Sequence, residues 1–222
     1  MTGNHPALGS PQIPLGFTTK AEAVFIEIRR RIVRGLLEPA APLNQEALAL
    51  QLGVSVTPIR EAIRRLESEG LVQFQAHKTV IVAPLSRDEL RQIYDIRLQL
   101  DPYAASLAAK NVSEDELREI DRLARAPVSD DPLEQVALNR AFHRGIYSRS
   151  DNDLLTQTLD HLWERTDRYR TMLLSRNLHV LAAVREHTEI ADAMRARQPR
   201  LVAQLTRAHI AKARALIEHA LG

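Results

Sequence analysis

The 222-residue sequence predicts a mostly α-helical protein, with a helix-turn-helix and a two-stranded wing at its N-terminal end and an all-α antiparallel bundle behind them. Three observations predict this. Residues 53–72, GVSVTPIREAIRRLESEGLV, join a glycine turn to an amphipathic helix. Strand patterning is confined to a short stretch after Gly70. From Leu85 to Gly222 apolar residues recur at helical spacing, in six helices or, as the alternative, seven.

The composition permits one or two domains: 45% of residues are hydrophobic, 26% charged and only 4% aromatic. Without cysteine, disulfides and thiolate metal sites are excluded, and a reducing cytoplasm is compatible. No apolar run approaches the roughly 18–20 residues that span a bilayer. The N-terminal residues lack the basic start and apolar centre of a signal peptide, so the chain reads as soluble and cytoplasmic, with no membrane partner. A formal net charge of +2 says little about nucleic acid; the placement of the arginines says more.

Residues 1–16, rich in Pro, Gly and polar side chains, read as a mobile tail. Residues 17–84 form the first domain. Its opening helix carries the stripe Val24, Phe25, Ile28, Ile32 and Leu36 and ends at Gly35 and the Pro39–Pro42 breakers. The segment Asn44 to Leu52 is a second helix, and Gly53-Val54-Ser55 turns into a third that begins near Thr57. Ser55 and Thr57 can cap that third helix, and Pro58 suits its first turn. Ile59, Ala62, Ile63 and Leu66 share its packed face, while Thr57, Arg60 and Arg64 lie opposite. Leu71–Phe74 and Thr79–Val82 then read as two strands around Gln75–Lys78. An ordinary helical hairpin with a solvated charged face shares much of this pattern.

The second domain, residues 85–222, divides into helices near 86–109, 113–125, 131–149, 151–175, 178–197 and 199–220, with Ser86, Ser113 and Asp151 as caps and Pro102 bending the first. Histidine interrupts three of its apolar stripes. His143 shares a face with Val136, Asn139 and Ile146; His187 with Val184, Ile190, Ala191 and Met194; His209 with Leu205 and Leu216. One buried histidine is most often a hydrogen-bonded core residue. Three on three core faces point to a shared divalent ion, zinc or nickel for neutral imidazoles, with Asn139 one turn from His143. The remaining histidines, His5, His77, His161, His179 and His219, show no such grouping.

Asn139 offers a neutral oxygen, so the charge of the ion invites an anionic ligand. Arg97 interrupts the stripe Leu90, Ile93, Leu100, Ala104 and Leu107, which suits it either to bidentate carboxylate recognition or to an i,i+4 salt bridge with Asp101. Tyr94, Arg140 and Tyr147 are further candidates for the same cavity.

The stretch LNQEALALQLGVSVTPIREAIRRLESEGLV resembles the winged-helix segment of the GntR family of bacterial transcription regulators, over about Phe17 to Pro84. The second half resembles the FCD effector domain of the FadR-like branch, in LRQIYDIRLQLD, NRAFH, REHTEI and the late His209. The resemblance implies metal ligands at Asn139, His143, His187 and His209. It also implies a homodimer on a palindromic DNA operator and a small organic acid as effector. Thr57, Arg60 and Arg64 then face the groove, with Arg65 and Lys78 as phosphate contacts. Two departures stand out. Val56 replaces the arginine common after the serine, and no glycine lies at the wing tip, Gln75-Ala76-His77-Lys78. Two other readings share the histidine set: a metal-dependent hydrolytic enzyme and a pure metal sensor. Against the enzyme stands the absence of H-E-x-x-H and of a carboxylate paired with the histidines, since Glu186 is assigned to another helix face.

Overall fold

A computed structural model of the chain describes residues 19–75, 79–174 and 180–221. The tail over 1–16, the wing-tip residues Ala76–Lys78 and the sequence candidates Lys78, His77 and His179 fall outside these. The chain divides into two compact units at Pro84 and Leu85, with Val33–Gly35 grouped with the second.

In the first unit, α1 (Lys20–Val33), α2 (Gln45–Leu52) and α3 (Val56–Ser68) precede strands β1 (Val72–Phe74) and β2 (Val80–Val82). Val24, Phe25, Ile28, Ile32, Leu48, Ile59, Ile63, Leu66 and Leu71 build its core. Leu36, expected on the α1 stripe, is instead 64% exposed, because the helix has already ended at Val33 and Gly35 turns the chain at φ 68°. The Asn44 side chain caps α2 by accepting from the Ala47 N–H at 2.9 Å. Gly53, at φ 65° and ψ 34°, closes α2 with its N–H on the carbonyls of Ala49 and Leu50, a left-handed position that favours glycine. Ser55 is the N-cap of α3, yet its hydroxyl makes no capping bond. Pro58, the third helical residue, lacks one of the two N–H groups that such a hydroxyl can accept from. β1 and β2 pair antiparallel with Gln73 opposite Ile81, and Leu43 adds its N–H to the Val80 carbonyl at 2.8 Å.

The second unit contains six helices among the described residues: α4 (Arg87–Asn111), α5 (Glu114–Ala124), α6 (Pro132–Tyr147), α7 (Asp153–Leu174), α8 (Val180–Arg195) and α9 (Pro199–Ala220). Ser86 and Ser113 cap α4 and α5, the latter in a reciprocal capping box with Glu116. α4 is central and packs on α6, α7 and α9. Pro102 lies buried inside it, and the helix continues through that residue to Asn111. Its small residues Ala104, Ala105, Ala108 and Ala109 let neighbours approach closely, and all four are buried. None of the described helices is long and apolar enough to cross a membrane.

The start of α4 is tied to α7 through one carboxylate. Glu89 accepts from Tyr169 at 2.6 Å, from Arg165 at 2.6 Å and from Arg168 at 2.8 Å. Burial pushes the Glu89 carboxyl up, but these donors outweigh it and hold its pKa below the ordinary 4.5. Its contribution is therefore complete above about pH 4.5 and is lost as the pH falls further. Glu89→Gln should lower stability by about 2–3 kcal/mol, measured by urea unfolding at neutral pH.

Candidate functional site

The three histidines of the apolar stripes converge. His143 on α6, His187 on α8 and His209 on α9 are buried, and their ligand nitrogens all lie within 4.8 Å of one another. Nε2 of His143 stands 3.1 Å from Nε2 of His209. Aromatic neighbours fix the rings: Phe142 stacks on His187 at 4.2 Å, and Trp163 lies 4.6 Å from His143.

Hydrogen bonds behind the rings decide which nitrogens carry protons. Asp101 is ion-paired with Arg97 at 2.8 Å and accepts the Tyr147 hydroxyl at 3.0 Å. With its proton committed to Asp101, the Tyr147 oxygen takes the Nδ1–H of His143 at 3.1 Å. On the other side, the Nδ1–H of His209 donates to Glu186 at 2.7 Å, and Lys212 holds the second Glu186 oxygen at 2.7 Å. Both Nε2 atoms thus present lone pairs to each other. Nε2 of His187 is also buried without a partner. Burial, followed by the neighbouring imidazoles and Arg170, holds the His143 and His187 pKa values well below 6.5; burial also lowers that of His209 against the opposing pull of Glu186. All three rings are therefore neutral at neutral pH.

This arrangement fits a divalent cation. A tetrahedral zinc ion with Zn–N bonds of about 2.0–2.1 Å sets its nitrogens roughly 3.3 Å apart, close to the 3.1 Å between His143 and His209. Hydrogen-bonded carboxylate and phenol groups behind ligating imidazoles are the usual orienting shell. The sequence reading placed Glu186 on another face, away from the histidines. It pairs with His209 because the partner comes from α9 and not from its own helix. It sits on the Nδ1 side, away from Nε2, so it orients the His209 ring and is not placed as a general base beside the Nε2 atoms.

The other candidates separate. Arg97 is fully buried, with its guanidinium 3.8 Å from the Trp163 ring centre and its charge met by Asp101, which realises the internal salt bridge. Tyr94 and Tyr147 are buried in the same neighbourhood. Arg140 does not join them. Its guanidinium is drawn to the α7 carboxylates, Asp167 at 3.0 Å and Glu164 at 3.1 Å. Asn139 lies beside the histidines, but its Oδ1 accepts from Arg170 Nη2 at 2.9 Å, so that oxygen is already engaged. Arg170 and Trp163 are not among the residues that the histidine-bearing stripes pick out in the sequence. The available signal was the α7 spacing Trp163, Thr166, Arg170, an arginine continuing a buried stripe.

In the first unit, Thr57, Arg60 and Arg64 are exposed on α3, opposite the buried Ile59, Ala62, Ile63 and Leu66. Arg65 takes another role. It pairs with Glu22 of α1 and lies over the Phe25 ring at 3.9 Å, clamping α3 to α1. Among the described residues no hydrogen bond or ion pair engages the side chain of Arg60 or Arg64.

Residues 20–82 match the family described as bacterial regulatory proteins, gntR family, and residues 92–212 match the FCD domain. The chain belongs to the GntR family, in its FCD-containing branch. It is 31% identical to the HTH-type transcriptional regulator McbR of Escherichia coli K12 over 173 residues, covering 73% of this chain and 75% of McbR. It is 27% identical to the HTH-type transcriptional repressor GlaR of the same organism over 208 residues, 87% of this chain and 94% of GlaR. The solved structure of E. coli McbR/YncC superposes with a TM-score of 0.76 at 22% identity, covering 93% of this chain and all of that one, a likeness of fold. This GntR-family protein is accordingly a DNA-binding transcription regulator with a helix-turn-helix domain and a helical FCD domain.

Proposed function

We propose that the operator affinity of this regulator is controlled by a small organic acid bound at a divalent metal ion, zinc or nickel, that His143, His187 and His209 hold in the FCD domain. What carries this reading is the pair of Nε2 lone pairs facing each other at 3.1 Å, each fixed by a hydrogen bond at the opposite nitrogen. Two acceptors in that position call for a cation between them. An ion held by three neutral imidazoles keeps its charge and offers open positions to an anionic oxygen. Arg97 serves this site through Asp101 and Tyr147, which set the His143 tautomer. α4 begins shortly after the wing in sequence, so a ligand that favours one arrangement of α4 can bias the attached DNA-binding domain.

The regulator acts in the cytoplasm as a homodimer, placing two α3 helices on the half-sites of a palindromic operator about one DNA turn apart. Thr57, Arg60 and Arg64 meet the groove, and Lys78 meets phosphate on the wing. A duplex selected by the protein from a random-sequence pool provides the test. Arg60→Ala should weaken binding to it by about 1–3 kcal/mol, whereas Arg64→Ala, if it touches phosphate, should weaken all sequences alike and flatten the salt dependence. Unchanged affinity in Arg60→Ala removes that residue from the interface.

A further inference from the structure

Glu61 is a carboxylate in the middle of the cationic face of α3. Elsewhere in the first unit arginine takes up such groups: Glu22 pairs with Arg65, Glu27 with Arg30 and Arg31, and Glu69 with Arg29 and Arg65. Glu61 is exposed, and among the described residues no hydrogen bond or ion pair engages its side chain. This holds although Arg60 precedes it and Arg64 follows at the i,i+3 spacing that suits a salt bridge along a helix.

Its place on the helix decides how it meets a bound duplex. At about 100° per residue, Glu61 lies roughly 150° around the axis from the middle of the packed face of Ile59, Ala62, Ile63 and Leu66, and Arg60 roughly 110°. The carboxylate therefore points outward more squarely than the arginine beside it, with Thr57 and Arg64 between the two. When this face enters the major groove, Glu61 enters with it. Phosphate repels a carboxylate, and guanine and thymine present no donor to it in that groove. Adenine sets its N6 amino group beside the N7 acceptor, whereas cytosine offers the N4 amino group with no acceptor of its own next to it.

We propose that Glu61 reads a cytosine in each half-site by accepting from its N4 amino group, and that its charge weakens docking on sequences that place no donor there. The proposal rests on the reading that the outer face of α3 lies in the groove. Specificity then comes from a penalty as well as from contacts, since Arg60 and Arg64 alone would hold to any phosphate backbone.

Full-length wild type, Arg60→Ala, Glu61→Ala and Glu61→Gln each select duplexes from a random-sequence pool. Affinities are then measured, at one salt concentration, for the duplex that the wild type selects and for a scrambled duplex of equal length. The wild type should fix a cytosine at one position per half-site. Glu61→Ala should lose that preference, bind the scrambled duplex more tightly and discriminate between the two duplexes about tenfold to a hundredfold less well. Glu61→Gln, a nearly isosteric change, should move the preference at that position toward adenine, whose N6 and N7 a glutamine amide pairs with in bidentate fashion. A residue that only stabilised the helix would leave the choice of base untouched. Selection of the same sequence by the wild type and both Glu61 variants overturns the proposal, as does an equal weakening of both duplexes in Glu61→Ala. With Arg60→Ala weakened, either result leaves α3 in the groove; with Arg60→Ala unchanged, the reading of the α3 face falls together with the proposal.

Discussion

Asp101→Ala should lower the stability of the helical domain by about 3–5 kcal/mol, the largest loss expected from a single substitution in this protein. Asp101 and Arg97 are both fully buried, and Asp101 Oδ2 accepts from Arg97 Nη2 and from the Tyr147 hydroxyl. Burial alone would lower the Arg97 pKa, yet the Asp101 charge raises it above its ordinary value, so the guanidinium stays charged in the core. Removing the carboxylate leaves that charge uncompensated and lets the Tyr147 proton turn back toward His143. Urea unfolding measures the stability loss, and metal titration of the same variant should show weaker binding by about ten- to a hundredfold. A loss under about 1 kcal/mol would mean that the pair contributes little and that Arg97 finds another partner.

On the proposed metal site, His143→Ala should weaken binding of a divalent ion by at least about a hundredfold, because it removes one of the three proposed ligands and the member that faces His209. Glu186→Gln is the milder companion. It keeps the shape behind His209 but loses the charge that accepts Nδ1–H, and about tenfold to a hundredfold weaker binding is expected. Competition against a colorimetric zinc chelator reads both. Equal affinities in wild type and His143→Ala would remove the trio from metal binding and return His143 to the role of a packed core residue between Phe142 and Trp163.

Much of the fold was legible because it rests on local rules. The apolar spacing on α3, the glycine turn at Gly53 and the serine caps of α4 and α5 each declare an element within a few residues. The failures came where a neighbouring residue overrode the rule. Ser55 makes no capping bond although it stands at the N-cap of α3, and the early end of α1 left Leu36 in solvent. In the site, the histidines announced themselves by interrupting apolar stripes. Their supporting groups did not, since Glu186 to His209 and Asn139 to Arg170 are contacts between helices far apart in sequence. Arg97 had two readings on its own helix, and burial decided for Asp101. Arg140 and Arg65 went instead to carboxylates on neighbouring helices, which one-helix periodicity does not reveal.

The most direct test of the account is the operator affinity of wild type and His187→Ala, each measured with and without an acid found by thermal-shift screening of a carboxylate library. His187 is chosen because its buried Nε2 has no partner, so its removal breaks no hydrogen bond at that atom. The account predicts that the acid changes wild-type operator affinity by about 5- to 150-fold, the usual range of coupling between two sites. In His187→Ala the acid should have no effect, while ligand-free operator binding stays near that of the wild type. An equal response to the acid in both proteins would contradict the claim that the three-histidine site controls DNA binding.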